Sequence, residues 1–140
     1  MAEYKNPSLT ADIFIFDEDF NFILIKRLND PYKDCWALPG GFVEYGESVE
    51  DAAIREAKEE TSIDVELLDL VNVYSKPGRD PRRHTVTVAY TAKGDFSQRM
   101  AESDAKDIDV FSHEDIGNIE IAFDHRKIIE DSLKKAQKSI

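Results

Sequence analysis

This 140-residue chain is poor in the residues that crosslink a fold or hold soft metals: it has one cysteine, Cys35, and three histidines. A single cysteine excludes an internal disulfide and any cysteine-rich zinc site, and makes a reducing, intracellular setting the default. Basic residues are scarce beside acidic ones, 18 against 29, for a formal charge of −11. That balance disfavours long-range attraction to DNA, RNA or an anionic membrane. No apolar run approaches the length of a membrane span, and the first ten residues carry neither an apolar signal segment nor an arginine-rich amphipathic pattern. Repeats, low-complexity tracts and linkers are also absent from the sequence. By size the chain is one domain, residues 1–140, with a polar arm at 1–8 and a single sizeable core. The expected setting is soluble and cytoplasmic, with no nucleic-acid or membrane partner.

What is present reads as alternating strands and helices. Residues 9–16 and 22–27 are apolar runs rich in β-branched and aromatic side chains, and 17–21 between them reads as a hairpin connection. Asp12 inside the first run suggests a wet face or an edge strand. Residues 28–34 form an irregular loop, and Trp36 beyond it reads as a core plug or a base-stacking ring. Residues 63–74 alternate and then change phase near Leu68, as a bulged strand or two short strands would. Residues 84–93 alternate cleanly as a strand, 94–106 read as a polar loop and 107–111 as a short strand. A helical turn at 113–117 and a helix over 124–139 follow, with Ile129, Leu133, Ala136 and Ile140 on one face to cover the sheet. The class is α/β, a mixed sheet enclosed by helices; periodicity alone does not order the strands.

The most informative stretch is residues 41–63, GFVEYGESVEDAAIREAKEETSI. Pro39 biases Leu38 toward an extended entry, and Gly40 and Gly41 allow close backbone approach. Ser48 is placed to cap a helix with Glu50 and Asp51 in its first turn. Glu56 and Glu60 then stack about 6 Å apart on one edge, with Glu59 beside them. Such an edge is either a solvated face paired with Lys58 and Arg55, or a site for a hard divalent cation such as Mg²⁺.

These residues, from Gly41 through Glu47 and Arg55-Glu56-Ala57-Lys58-Glu59-Glu60 to Ile63, resemble the box of the Nudix hydrolase superfamily. Two places depart from the pattern: Ser62 stands where a glycine is usual, and Ala57 is small for its aliphatic place. The resemblance implies a Nudix-type α/β/α sandwich with a mixed β-sheet between helices. It further implies hydrolysis of the pyrophosphate of a nucleoside diphosphate linked to another moiety, with Mg²⁺, or Mn²⁺ in its place. By that resemblance Glu56, Glu60 and Glu59 are metal ligands, Glu59 being ligand or base, and Gly40 joins them through its carbonyl. Arg55, Glu47 and Gly41 take structural roles, Arg55 either anchoring Glu47 or clamping a phosphate. A base from a later loop is the alternative, with Glu102 ranked ahead of Asp104 and Glu114.

Pro77, fifteen residues after Ser62, together with Tyr74, Gly78, Arg79, Arg82, the His84-Thr85-Val86 opening and the late Ala122-Phe123-Asp124-His125, resembles an ADP-ribose pyrophosphatase group. Arg79, Arg82 and Arg83 either bind phosphate or neutralise neighbouring aspartates. Tyr74 or Phe42 could stack on adenine or belong to the core. His84 and His125 lack the spacing of a metal pair, and His125 reads as a surface or capping residue. ADP-ribose, cleaved to AMP and ribose 5-phosphate, is the expected substrate. The alternatives are an oxidised nucleoside triphosphate and a non-catalytic nucleotide-sensing module. The apolar first strand and its arm leave a homodimer open.

Overall fold

The computed structural model describes residues 4–100 and 105–139. In chain order its strands are β1 Ser8–Ile15, β2 Phe22–Arg27, β3 Trp36–Ala37, β4 Gly40–Phe42, β5 Val65–Tyr74, β6 Thr85–Gly94 and β7 Ala105–Phe111. Two α-helices, α1 over Val49–Thr61 and α2 over His125–Lys138, and two 3-10 turns, Phe96–Gln98 and His113–Asn118, complete the described elements. The strands form a mixed four-stranded sheet, β4–β1–β6–β5, and an antiparallel three-stranded sheet, β3–β2–β7. The α/β/α sandwich forms as expected, its strands divided between two sheets.

β1 explains the layering. Its alternate side chains enter two different cores, as the two-residue period of a strand requires. Ala11, Ile13 and Ile15 pack with Ala52, Ala53 and Ala57 of α1. Phe14 joins Phe16, Phe22, Leu24 and the Ile128, Ile129 and Leu133 stripe of α2. With both faces covered, β1 pairs parallel with β6 on one side and antiparallel with β4 on the other.

That arrangement corrects two expectations. Residues 17–21 make a turn, with Phe20 at φ 60°, but β1 and β2 share only the bridge Phe16–Phe22. Both hydrogen-bonding edges of β1 are already taken, so β2 crosses into the second sheet instead of forming a hairpin. For the same reason Asp12 is neither wet nor at an edge: it sits mid-strand, 6% exposed. The phase change after Leu67 resolves as one strand, β5, whose register against β6 shifts between Leu67 and Leu70 and again before Asn72. No helix among the described residues is long and apolar enough to cross a membrane.

Candidate active site

The site begins with helix α1 and the way it is stopped and started. Ser48 caps the helix, its hydroxyl accepting the Asp51 N–H at 3.0 Å. At the other end Ser62 adopts the left-handed conformation, φ 65°, and its N–H donates to the Lys58 carbonyl. Serine therefore fills the helix-stop role usual for glycine, at the steric cost of a Cβ in that region. The small side chain of Ala57 is fully buried and lets α1 approach the sheet closely.

Arg55 gathers the box. Its Nε and Nη2 donate to both oxygens of Glu47, at 2.7 and 2.9 Å, and Nη2 also reaches the Phe42 carbonyl at 3.0 Å. Nη1 turns to Glu56 at 2.8 Å and Glu59 at 3.1 Å. These hydrogen bonds from Arg55, with one from the Glu44 N–H, hold the Glu47 carboxyl down at about 2. The bidentate pair ties the loop before α1 to the helix itself.

Glu60 has the opposite surroundings. Burial, then the neighbouring charges of Glu56 and Asp12, push its carboxyl up to about 9, while the Gly40 N–H bond works against them. Glu56 is raised too, chiefly by burial and despite Arg55. Two of the glycines are explained by contact. A Cβ on Gly41 would lie 2.6 Å from the Glu56 carboxyl carbon. A Cβ on Gly40 would collide with the Ala11 carbonyl and the Asp12 carboxylate.

Three acids, Asp12, Glu56 and Glu60, thus crowd one place, with Arg55 donating to Glu56. Of these, Glu56 and Glu60 are oxygen donors of the kind that fits a hard divalent cation. The side chains are not drawn around one as they stand: among the described residues no three His, Cys, Asp or Glu groups are arranged to grip an ion.

These groups line a cleft of ≈ 460 Å³ together with Arg27, Arg79, Arg82, Phe42 and Phe123. Arg82 binds Asp80, which lowers that carboxyl although burial opposes it. Its guanidinium lies 5.9 Å from the Phe42 ring and 5.6 Å from the Phe123 ring, between the two. Arg79 is nearly buried and holds Asp124 through Nε at 2.8 Å and Nη2 at 2.6 Å. Arg83 lies 5.7 Å from Phe42 at the rim.

The structure does not bring every sequence candidate together. Tyr74 and Pro77 line a separate hollow of ≈ 570 Å³ behind Arg79. There the Tyr74 hydroxyl donates to Asp131 at 2.7 Å, and the ring is part of the core around α2, so it is not placed to stack on a base in the cleft. Glu114 lies in the second 3-10 turn and is not part of the cleft lining. Glu102 and Asp104 fall outside the described residues. Trp36 is partly buried against the α2-side core, its ring edge-on to Phe111 at 4.8 Å, and does not line the cleft.

Several cleft residues were missed from sequence, among them Arg27, Asp12 and His125. Asp12 accepts the Thr87 hydroxyl at 2.7 Å. His125 is 5% exposed, not a surface residue, and its Nδ1 accepts the Leu38 N–H at 3.0 Å. Burial pushes its imidazole below the usual histidine range. The signals for this pair were an aspartate inside an otherwise apolar strand and the stretch at residues 122–125.

The two-layered cleft over a capped acidic helix is that of a known class. The NUDIX domain profile matches residues 6–132, and the chain belongs to the Nudix hydrolase family. Within that family it is an enzyme of the ADP-ribose pyrophosphatase-like group. It is 43% identical over 132 residues to the ADP-ribose pyrophosphatase of Methanocaldococcus jannaschii, a match covering 94% of this chain and 76% of that one. The NUDIX domain of Shewanella oneidensis NrtR complexed with ADP ribose superposes with a TM-score of 0.84 at 28% identity, covering 95% of this chain and 90% of that one. A bifunctional NMN adenylyltransferase/ADP ribose pyrophosphatase from Francisella tularensis, complexed with AMP and a manganese ion, gives 0.85 at 29% identity. That match covers 96% of this chain but 43% of the larger protein.

Proposed function

We propose that the protein hydrolyses the pyrophosphate bond of ADP-ribose, yielding AMP and ribose 5-phosphate, with Mg²⁺ as cofactor and Mn²⁺ able to replace it. The observation that carries this reading is one cleft lined both by the acidic cluster of the box helix and by arginines and aromatic rings. A diphosphate with two sugars and a base has matching parts: charge for the cation side, and a flat ring and hydroxyls for the other. The likeness to an ADP-ribose pyrophosphatase and to two structures named for the same compound supports it.

Glu56, Glu60 and Glu59, with the Gly40 carbonyl, are the groups that would hold the metal. Bound there, it supplies charge neutralisation at the diphosphate and a more acidic water. Arg55 keeps the loop and helix in register through Glu47 and limits how far Glu56 and Glu59 can swing. Phe42 offers a half-exposed ring for the base. Arg83 at the rim and Arg82 across the mouth are the phosphate contacts we favour, while Arg79, taken up by Asp124, shapes the wall between the two hollows. Pro77 and Tyr74 support that wall from behind. Glu59 in the box or Glu102 on the later loop acts as base.

The test is a panel of ADP-ribose, 8-oxo-dGTP, NADH, diadenosine polyphosphates and ADP-glucose with product identification. Greatly preferred turnover of ADP-ribose to AMP and ribose 5-phosphate is expected. Release of pyrophosphate from a triphosphate instead would replace this reading. A sensing role has one observation behind it, the likeness to the NrtR domain bound to ADP ribose. Tight binding of ADP-ribose without turnover in Mg²⁺ would select it.

A further inference from the structure

His125 is held in one tautomer by the backbone. The Leu38 N–H already donates to Nδ1, so the single proton of the neutral ring sits on Nε2. That Nε2 is 3.6 Å from the Asp12 carboxylate, beyond hydrogen-bond length, and among the described residues no hydrogen bond to it is seen. Both residues are more than nine-tenths buried and both line the cleft. Asp12 cannot retreat, because Thr87 holds the same oxygen from β6 and Gly40 packs against the other. The cleft floor therefore presents a fixed donor beside a fixed acceptor, from the first residue of α2 and the middle of β1.

The chemistry of that pair selects its ligand. A phosphate oxygen could accept from Nε2–H but would be repelled by the carboxylate. A carbonyl oxygen could accept but has no proton for Asp12. An ammonium could satisfy Asp12 but would face the Nε2 proton. A hydroxyl does both, accepting from His125 and donating to Asp12. We infer that Asp12 and His125 form a hydroxyl-recognising subsite on the cleft floor, which takes one ribose hydroxyl of the substrate and so discriminates ribose from deoxyribose.

This inference rests on the ADP-ribose reading, and the experiment separates the two. Wild-type protein is assayed with ADP-ribose and with analogues lacking one hydroxyl at a time on either ribose. One analogue should lose about tenfold or more in kcat/KM, because a buried donor and acceptor are left unmatched. The variant His125→Asn keeps an acceptor near the Nδ1 position for the Leu38 N–H but removes the Nε2 donor. It should keep its thermal midpoint within a few degrees and no longer distinguish that analogue from ADP-ribose. Asp12→Asn, which keeps the volume and the Thr87 partner, serves if the first variant does not fold, and should also blunt the discrimination. Equal turnover of all the analogues by wild type overturns the subsite, as does undiminished discrimination in the variants; a purely structural role for His125 predicts equal losses on every compound. If ADP-ribose itself is not turned over, the substrate reading fails separately. The same comparison made on GTP against dGTP then decides the subsite.

Discussion

Glu47 and Glu60 lie thirteen residues apart in one motif, yet their surroundings oppose each other. Glu60 is buried among acids and accepts from the Gly40 N–H, a bond that a glutamine oxygen can keep. Glu60→Gln and Glu56→Gln should each lower Mg²⁺-dependent turnover by more than about a hundredfold, about 2.7 kcal/mol in the barrier, with circular dichroism and melting unchanged. Near-normal turnover would remove both from the metal site. Glu47 has a depressed carboxyl, at about 2 in the folded protein. Its contribution to stability is full above the ordinary carboxylate value of about 4.3 and fades as pH falls toward 2. Melting curves of wild type and Glu47→Gln should therefore differ most at pH 6 and converge between pH 4.5 and 2. A gap that widens on acidification would contradict the Arg55–Glu47 assignment.

At the level of elements, α1 is held by its ends and by what it packs against. Ser62 occupies a left-handed conformation that costs a residue with a Cβ roughly 1–2 kcal/mol, part of which glycine returns as unfolded-state entropy. Ser62→Gly should thus stabilise the fold by about 0.5–1 kcal/mol, read as a rise of a few degrees in melting temperature, with kcat unchanged. Gly41→Ala should do the reverse to function. Its methyl would meet the Glu56 carboxyl at 2.6 Å, so Mn²⁺ affinity, followed by titration, should weaken while the fold persists.

The box was legible because its residues are local: Ser48, Arg55 and the glutamates meet within one loop and one helix, where spacing alone fixes neighbours. The cleft floor was not. Whether Asp12 is wet or buried depends on which strands flank β1, and those come from residues 40–42 and 85–94. Tyr74 faces away from the cleft after two register shifts along β5, a change of side that a period-two reading cannot follow. Arg79 and Asp124 are 45 residues apart, so no local pattern announced that the arginine was already engaged.

For the molecule as a whole, the net charge of −11 repels a diphosphate substrate before the cleft is reached. Inert salt screens that repulsion over a Debye length that shrinks to about 8 Å at physiological ionic strength. At saturating Mg²⁺, kcat/KM for ADP-ribose should rise about twofold between 10 and 150 mM KCl; a fall would mean that attraction by the cleft arginines governs approach. The same overall architecture has a kinetic side. β1 pairs with β6, more than seventy positions later, and so does β2 with β7. Closing such distances is slow, because loop entropy is lost before any contact rewards it. On the ribosome, α1 can coil as soon as it emerges, carrying its glutamates with it. The floor beneath them waits for α2, since the Leu38 N–H finds its acceptor only when His125 has been made. The cleft is thus completed only once α2 has been made, later than the helix that carries its glutamates.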